Sequence, residues 1–224
     1  MSLKVKVKET LINYRNALAF RQCAGEAQCR RHMKANTPSG TLRIIGGRWR
    51  SRRLNFPAVD QLRPTANRVR ETLFNWLQDE IVGEDCLDLF AGSGACGLEA
   101  LSRGARRVTF LEKNSQAARA IQHNLTILGE EQLPVVCADV LVWLAMPATE
   151  QKYGIVFIDP PYAANLEKIC CETLEQSALL KDRALIYLES DKEMLENLVP
   201  DNWRMLKKKR AGAVHYVLLE RRQK

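Results

Sequence analysis

Four times along this chain a short apolar run closes on a carboxylate. Cys86-Leu87-Asp88-Leu89-Phe90 holds the first acid. Arg107-Val108-Thr109-Phe110-Leu111 leads to Glu112, Pro134-Val135-Val136-Cys137-Ala138 to Asp139, and Ile155-Val156-Phe157-Ile158 to Asp159. Runs this short and apolar read as strands buried on both faces. Helical stretches near 97–103, 115–128 and 140–146 separate them, and another near 165–178 precedes a strand at 184–189. That alternation requires a parallel sheet with helices on both faces. In such a sheet the ligand crevice lies at the carboxyl ends of the strands. One acid there could be a helix cap. Four point to a shared site.

The first strand enters Ala91-Gly92-Ser93-Gly94-Ala95-Cys96-Gly97, and Leu98-Glu99-Ala100-Leu101 then opens a helix. Strand, Gly-rich turn and helix begin a nucleotide- or nucleoside-binding βαβ unit. Glycines let the backbone approach a ligand closely, and the helix N-terminus faces it. Glu112 lies 20 residues after Gly92, well placed for two ribose hydroxyls. The turn also fits GxGxxG, so a nicotinamide or flavin nucleotide has to be weighed. Asp88 argues against one, because a carboxylate there would repel a pyrophosphate. It would attract the ammonium and sulfonium of S-adenosylmethionine. Asp139 could accept from the adenine amine, with the Val140 backbone against the ring edge. The expected cofactor-binding set is Asp88, Phe90, Ala91, Gly92, Ser93, Gly94, Glu112, Lys113, Asp139 and Val140.

Asp159-Pro160-Pro161-Tyr162 stands where the fourth buried strand runs out. An amino group on a nucleobase is a poor nucleophile, because its lone pair is delocalised into the ring. Asp159 and the Pro160 carbonyl can accept from that amine. The prolines fix the backbone, and Tyr162 offers a face for an extruded base. The alternative is a Pro-Pro turn in which Asp159 serves only the turn. The expected catalytic residues are Asp159, Pro160, Pro161 and Tyr162.

These segments carry a resemblance. Asp-Leu-Phe-Ala-Gly-Ser-Gly at 88–94, Asp159-Pro160-Pro161-Tyr162, Leu62-Arg63-Pro64-Thr65, Arg68 through Leu77, and Arg43-Ile44-Ile45-Gly46-Gly47-Arg48-Trp49-Arg50 together resemble the bacterial 16S rRNA guanine-N2 methyltransferases of the RsmD type, over about residues 41 to 220. The Gly-rich and Asp-Pro-Pro-Tyr motifs alone specify only an amino-directed methyltransferase; the Ile-Ile-Gly-Gly and Arg-Pro-Thr segments narrow it. The resemblance implies a Rossmann-like, seven-stranded α/β methyltransferase sheet. It also implies methyl transfer from S-adenosylmethionine, leaving S-adenosylhomocysteine, to the N2 amine of a guanine in 16S rRNA. The substrate would be that RNA within a small ribosomal subunit or an assembly intermediate. Alternatives are an adenine-N6 or cytosine-N4 methyltransferase acting on DNA, a glutamine-directed enzyme, or a non-catalytic RNA-binding assembly factor.

Charge is unevenly distributed. Residues 1–70 carry a net +13, residues 71–202 a net −12 and residues 203–224 a net +7. An acidic body with two basic ends suits a nucleic-acid partner. Arg48, Arg50, Arg52 and Arg53 would grip phosphates, with Trp49 for stacking or anchoring, and Arg63 and Arg68 extend the set. The alternative is a solvated charged loop. Of the seven cysteines, Cys86 and Cys137 fall in predicted strands and Cys170-Cys171 in a predicted helix, a scatter that suits free thiols in a reducing cytoplasm. Cys23, Cys29 and His32 lack a fourth ligand, so no metal is expected. No apolar run approaches the ~20 residues that span a membrane, and a monomer is favoured.

Residues 41–62 are expected to form a β-hairpin bent near Gly46-Gly47. A helix over 66–81, capped by Thr65, places Val69, Leu73, Trp76 and Leu77 on one face. The stretches 203–209 and 213–220 read as a hairpin completing the sheet. The expected organisation is a basic extension over 1–40, an RNA-binding hairpin and helix over 41–84, and a catalytic domain over 85–224. The extension could be an organellar transit peptide, a flexible RNA-binding arm or a start-site extension.

Overall fold

A computed structural model describes residues 39–57, 67–147, 150–161, 164–193 and 198–222. The basic extension, Arg63, Thr65 and Tyr162 fall outside the described residues, as do Cys23, Cys29 and His32. Ser39–Lys224 forms one compact unit.

Nine strands and five helices follow one another in this unit among the described residues. They are β1 (Ser39–Arg43), β2 (Arg53–Pro57), α1 (Asn67–Trp76), β3 (Asp85–Asp88), α2 (Ala95–Ser102), β4 (Arg107–Leu111), α3 (Ser115–Leu128), β5 (Val135–Val136), α4 (Val140–Leu144), β6 (Tyr153–Ile158), α5 (Glu167–Gln176), β7 (Leu180–Ser190), β8 (Trp203–Ala211) and β9 (Val214–Arg221). The last seven strands form one sheet in the order β5-β4-β3-β6-β7-β9-β8. β3 through β7 pair in parallel, and β9 runs antiparallel to both its neighbours. The chain starts at the sheet's centre, winds outward to β5, then returns beside β3 as β6. That reversal makes β3 and β6 the switch point, where such sheets open a crevice.

Each face of the sheet has its own core. Phe110, Phe157 and Tyr187 meet the hairpin, α1, α2 and α3 on one side. Leu87, Val156 and Ile186 meet α4 and α5 on the other. The helices therefore cover both faces, as the alternation of elements requires. α3 begins and ends where expected because its caps are strong. The Asn114 side chain accepts from the amides of Gln116 and Ala117, and Gly129 closes the helix at φ 77.

Some boundaries differ from expectation. The strand expected over 134–138 is two residues long, although the amides of Phe110 and Glu112 still donate to Pro134 and Val136. It lies at the sheet's edge, and Pro134 brings no donor of its own. The α-helix expected over 66–81 ends at Trp76, and turns carry the chain to Gly83 at φ 77. Val69, Leu73 and Leu77 are buried as expected, and Trp76 is half-buried against Tyr216.

The hairpin is tied down by α2. Glu99, fully buried, accepts from the amides of Ile45 and Gly46 at 2.8 Å each and from Arg103 Nε at 2.8 Å. The Ser102 hydroxyl donates to the Gly46 carbonyl and accepts from the Trp49 amide. Gly47 sits at φ 75 with space only for hydrogen, since a Cβ there would lie 1.8 Å from the Ser102 carbonyl oxygen. Ile44-Ile45-Gly46-Gly47 is thus the docking segment of the hairpin on the catalytic sheet's own helix.

Candidate active site

The carboxyl ends of β3, β4 and β6 carry the expected acids. Asp88 ends β3, four per cent exposed, and its Oδ2 accepts from the Gly97 amide at 3.0 Å. Gly92 and Gly94 turn the chain at φ 53 and 79, conformations that L side chains rarely adopt. Gly97 serves a different need. A Cβ there would sit 2.2 Å from the Phe110 ring, so a hydrogen is all that lets α2 lie against β4. Gly97→Ala is expected to destabilise the fold by about 1–3 kcal/mol through overpacking. Chemical denaturation measures it, and wild-type stability would mean that Phe110 yields freely.

Glu112, just past β4, is already engaged. One carboxylate oxygen accepts from the Gly92 amide at 2.8 Å and the other from the Asn114 amide at 2.6 Å. It therefore fixes the Gly-rich turn and can hold ribose hydroxyls only through its remaining lone pairs. Asp139 caps α4 by accepting from the Leu141 amide at 3.0 Å and pairs with Lys113 Nζ at 3.0 Å. The cap reading applies to this acid, alongside its place at the crevice. Burial raises the Asp139 carboxyl, but the Lys113 bond and the helix amides outweigh it, so the group sits below its ordinary value.

Asp88 is the electrostatic outlier. Burial pushes its carboxyl up to about 7, and nearby Glu112 adds to the rise while the Gly97 amide opposes it. A carboxylate in that state favours a cation brought to it.

Asp159 follows β6 directly. Phe157 pairs with Asp88 in the ladder, so Asp159 rises beside the Gly-rich turn. Pro160 is buried and Pro161 exposed, and the Pro161 carbonyl accepts from the Ala164 amide at 2.9 Å. A fifth acid, Glu189, is the penultimate residue of β7 next door. The rule that singled out the other four applies to it, since Leu185-Ile186-Tyr187-Leu188 is an apolar run closing on a carboxylate. A cleft of about 410 Å³ lined by Asp85, Arg106 and Gln151 lies at the opposite, amino ends of β3 and β4.

In the basic loop the structure decides between the two uses expected of Trp49, stacking and anchoring. Trp49 is eight per cent exposed, packs in the core and carries the Arg48 guanidinium 4.0 Å over its ring. It anchors the loop and has no face to offer RNA. Arg48 also pairs with Glu130 at 2.5 Å. Arg50, Arg52, Arg53 and Arg68 are exposed. Among the described residues no group of three or more His, Cys, Asp or Glu is arranged to hold a metal, and no helix is long and apolar enough to cross a membrane.

Strand order, glycine turn and acid-lined switch point define a Rossmann-like methyltransferase. The family described as Conserved hypothetical protein 95 matches residues 42–220. The ribosomal RNA small subunit methyltransferase D of Escherichia coli K12 is 46% identical over 183 residues, covering 82% of this chain and 91% of that protein. The solved yhhF chain from Escherichia coli superposes with a TM-score of 0.75 at 41% identity, covering 83% of this chain and all of that one. At 18% identity, the T. thermophilus 16S rRNA N2 methyltransferase RsmC, solved with AdoMet and guanosine, shares the fold with a TM-score of 0.59, covering 86% of this chain and 52% of its own. The chain belongs to the RsmD-type family of S-adenosylmethionine-dependent rRNA methyltransferases.

Proposed function

We propose that this chain methylates the exocyclic N2 amine of a guanine in small-subunit rRNA. The observation that carries this reading is the position of Asp159-Pro160-Pro161, one strand from the Gly-rich turn at the switch point. The names of the Escherichia coli relative and of the T. thermophilus neighbour, with its bound guanosine, support the substrate.

The donor set fits S-adenosylmethionine. Asp88 is a buried carboxylate that would take the ammonium, Glu112 would take the ribose through its remaining lone pairs, and Asp139 with Val140 would meet the adenine. Phe90, Ala91, Gly92, Ser93, Gly94 and Lys113 complete the walls. When bound, the cofactor supplies an electrophilic methyl on a sulfonium and leaves as S-adenosylhomocysteine. That donor is already activated, so the transfer calls for no metal. Asp159 and the Pro160 carbonyl hold the amine with its lone pair toward the methyl carbon, and Tyr162 stacks on the turned-out base. As the new N–C bond forms, the amine proton passes to Asp159 or to water. The substrate is rRNA in a small subunit or an assembly intermediate, and the enzyme works as a cytoplasmic monomer.

Labelled S-adenosylmethionine incubated with naked small-subunit rRNA, subunits and DNA, followed by nucleoside analysis, tests the reading. N2-methylguanosine is expected. Methylated adenine, cytosine or glutamine, or no turnover at all, would replace it.

Arg50, Arg52, Arg53 and Arg68 form the RNA grip, with Arg48 turned to Glu130, Trp49 anchoring the loop and Arg63 placed with the grip by sequence alone. Replacing Arg50, Arg52 and Arg53 with Gln is expected to flatten the salt dependence of rRNA binding by about 2 in log–log slope. S-adenosylmethionine affinity should be untouched. An unaltered slope would return this segment to a solvated loop.

A further inference from the structure

We infer that Glu189 selects guanine, by accepting the N1–H of the target base beside the amine held by Asp159. The inference rests on the proposed reaction and adds a residue to it. β6 and β7 pair in parallel with Phe157 opposite Tyr187 and Ile158 opposite Leu188. Asp159 follows β6 and Glu189 continues β7, so extending this register by one residue makes them neighbours one strand spacing, ~5 Å, apart. Glu189 Oε2 accepts from the Tyr187 hydroxyl at 2.6 Å, which fixes its direction on the face that carries Tyr187 and Phe157. Tyr187 is itself wedged against Tyr216, whose ring packs on Trp76. The carboxylate is therefore held on a rigid strand end, four per cent exposed. The charges around it agree with this placement. Burial raises the Tyr187 hydroxyl, and the negative charges of Glu189 and Asp159 add to the rise.

The chemistry of the bases makes this pair informative. Guanine alone presents two adjacent donors, N1–H and the N2 amine, on its Watson–Crick edge. Two neighbouring carboxylates complement that edge. Adenine and cytosine would set a ring-nitrogen lone pair against Glu189, and uracil brings one donor and no amine. A site that reads a flipped base does so along this edge. Accepting from the Tyr187 hydroxyl is a structural role for Glu189, and a carboxylate has lone pairs for more than one donor.

The test uses the whole chain and small-subunit rRNA. Wild-type enzyme first maps the methylated guanine. That position is then replaced by 2-aminopurine, which keeps the N2 amine but carries a lone pair at N1. Wild type is expected to methylate 2-aminopurine RNA roughly 30- to 100-fold more slowly than guanine RNA. Glu189→Gln can donate to that lone pair and still accept from Tyr187. It should lose about 10- to 100-fold on guanine and bring the two substrates within about fivefold. Glu189→Asp keeps the charge, so it should slow both substrates and preserve the discrimination. A wild-type guanine preference in Glu189→Gln overturns the inference and leaves the reaction standing. Should Glu189→Gln fail to melt cooperatively, unchanged kcat and KM in Glu189→Asp overturns it instead. Absence of N2-methylguanosine with wild type removes the reaction and this inference together.

Discussion

Asp159→Ala is expected to slow single-turnover methyl transfer by roughly 10²–10⁴-fold while S-adenosylmethionine binding changes by less than about threefold. The asymmetry follows from position. Asp159 stands past β6, whereas the groups assigned to the cofactor are set by β3, β4, the turn between β3 and α2, and the start of α4. Removing it leaves the Gly92 and Gly97 amide bonds in place. What is lost is the acceptor that aligns the amine, and alignment is most of what a methyl transfer from an activated donor requires. An interaction used mainly in the transition state lowers turnover rather than affinity. Tyr162→Ala should instead lose base stacking worth roughly 1–3 kcal/mol, and Tyr162→Phe should be tolerated, because the ring does the stacking. Rapid-quench rates with calorimetric cofactor affinities check these outcomes. Wild-type turnover in Asp159→Ala would take this residue out of the mechanism.

Much of this was legible in the chain because the relevant signals are local. Buried parallel strands leave short apolar runs, and each acid closing such a run points to the crevice whatever the rest of the fold does. Asn114 and Gly129 bracket α3 with caps readable from residue type alone. Contacts distant in sequence were not legible. Nothing near Glu112 announces that both its oxygens would be taken by the Gly92 and Asn114 amides. Nothing near Trp49 says that Ser102, more than fifty residues away, would pull its backbone down and bury its ring. A tryptophan among arginines has the same composition whether it stacks on a base or anchors a loop. The Arg70–Glu99 pair shows the same limit. Both side chains are fully buried at 3.8 Å, and Arg70 Nη2 donates to the Arg43 carbonyl at 2.5 Å, yet each reads in isolation as a surface charge on an amphipathic helix. The run Leu185–Leu188 closing on Glu189 is equally local, but nothing in the sequence says that its strand lies beside β6.

Asp88→Asn is expected to stabilise the ligand-free protein at pH 8 and to weaken S-adenosylmethionine binding about 10- to 100-fold. In the folded chain burial raises the Asp88 carboxyl to about 7. In the unfolded chain it titrates near its ordinary value of about 4. Below that value both states hold the proton and Asp88 adds no pH dependence. Between about 4 and 7 the folded state keeps a proton that the unfolded state has released, so stability falls as pH rises. Above about 7 both are ionised and the penalty is complete, with a ceiling of about 4 kcal/mol for a shift of this size. The Asn side chain keeps an acceptor for the Gly97 amide and carries no charge to bury. Its advantage over wild type should therefore grow from pH 4 to pH 7 and level off at about 1–3 kcal/mol, the lower figure reflecting loss of a charge-assisted bond. Cofactor binding should run the opposite way. An ammonium beside Asp88 favours the ionised form, so wild type should release close to one proton on binding near pH 6 and bind more tightly as pH rises through 7. Asp88→Asn should release none and show a flat profile. Calorimetry in buffers of different ionisation enthalpy counts the protons, and urea melts at pH 5 and pH 8 give the stabilities. Equal proton release by the two proteins, or an Asn variant less stable than wild type at pH 8, would mean that Asp88 is held ionised by the fold itself and not kept in reserve for a cation.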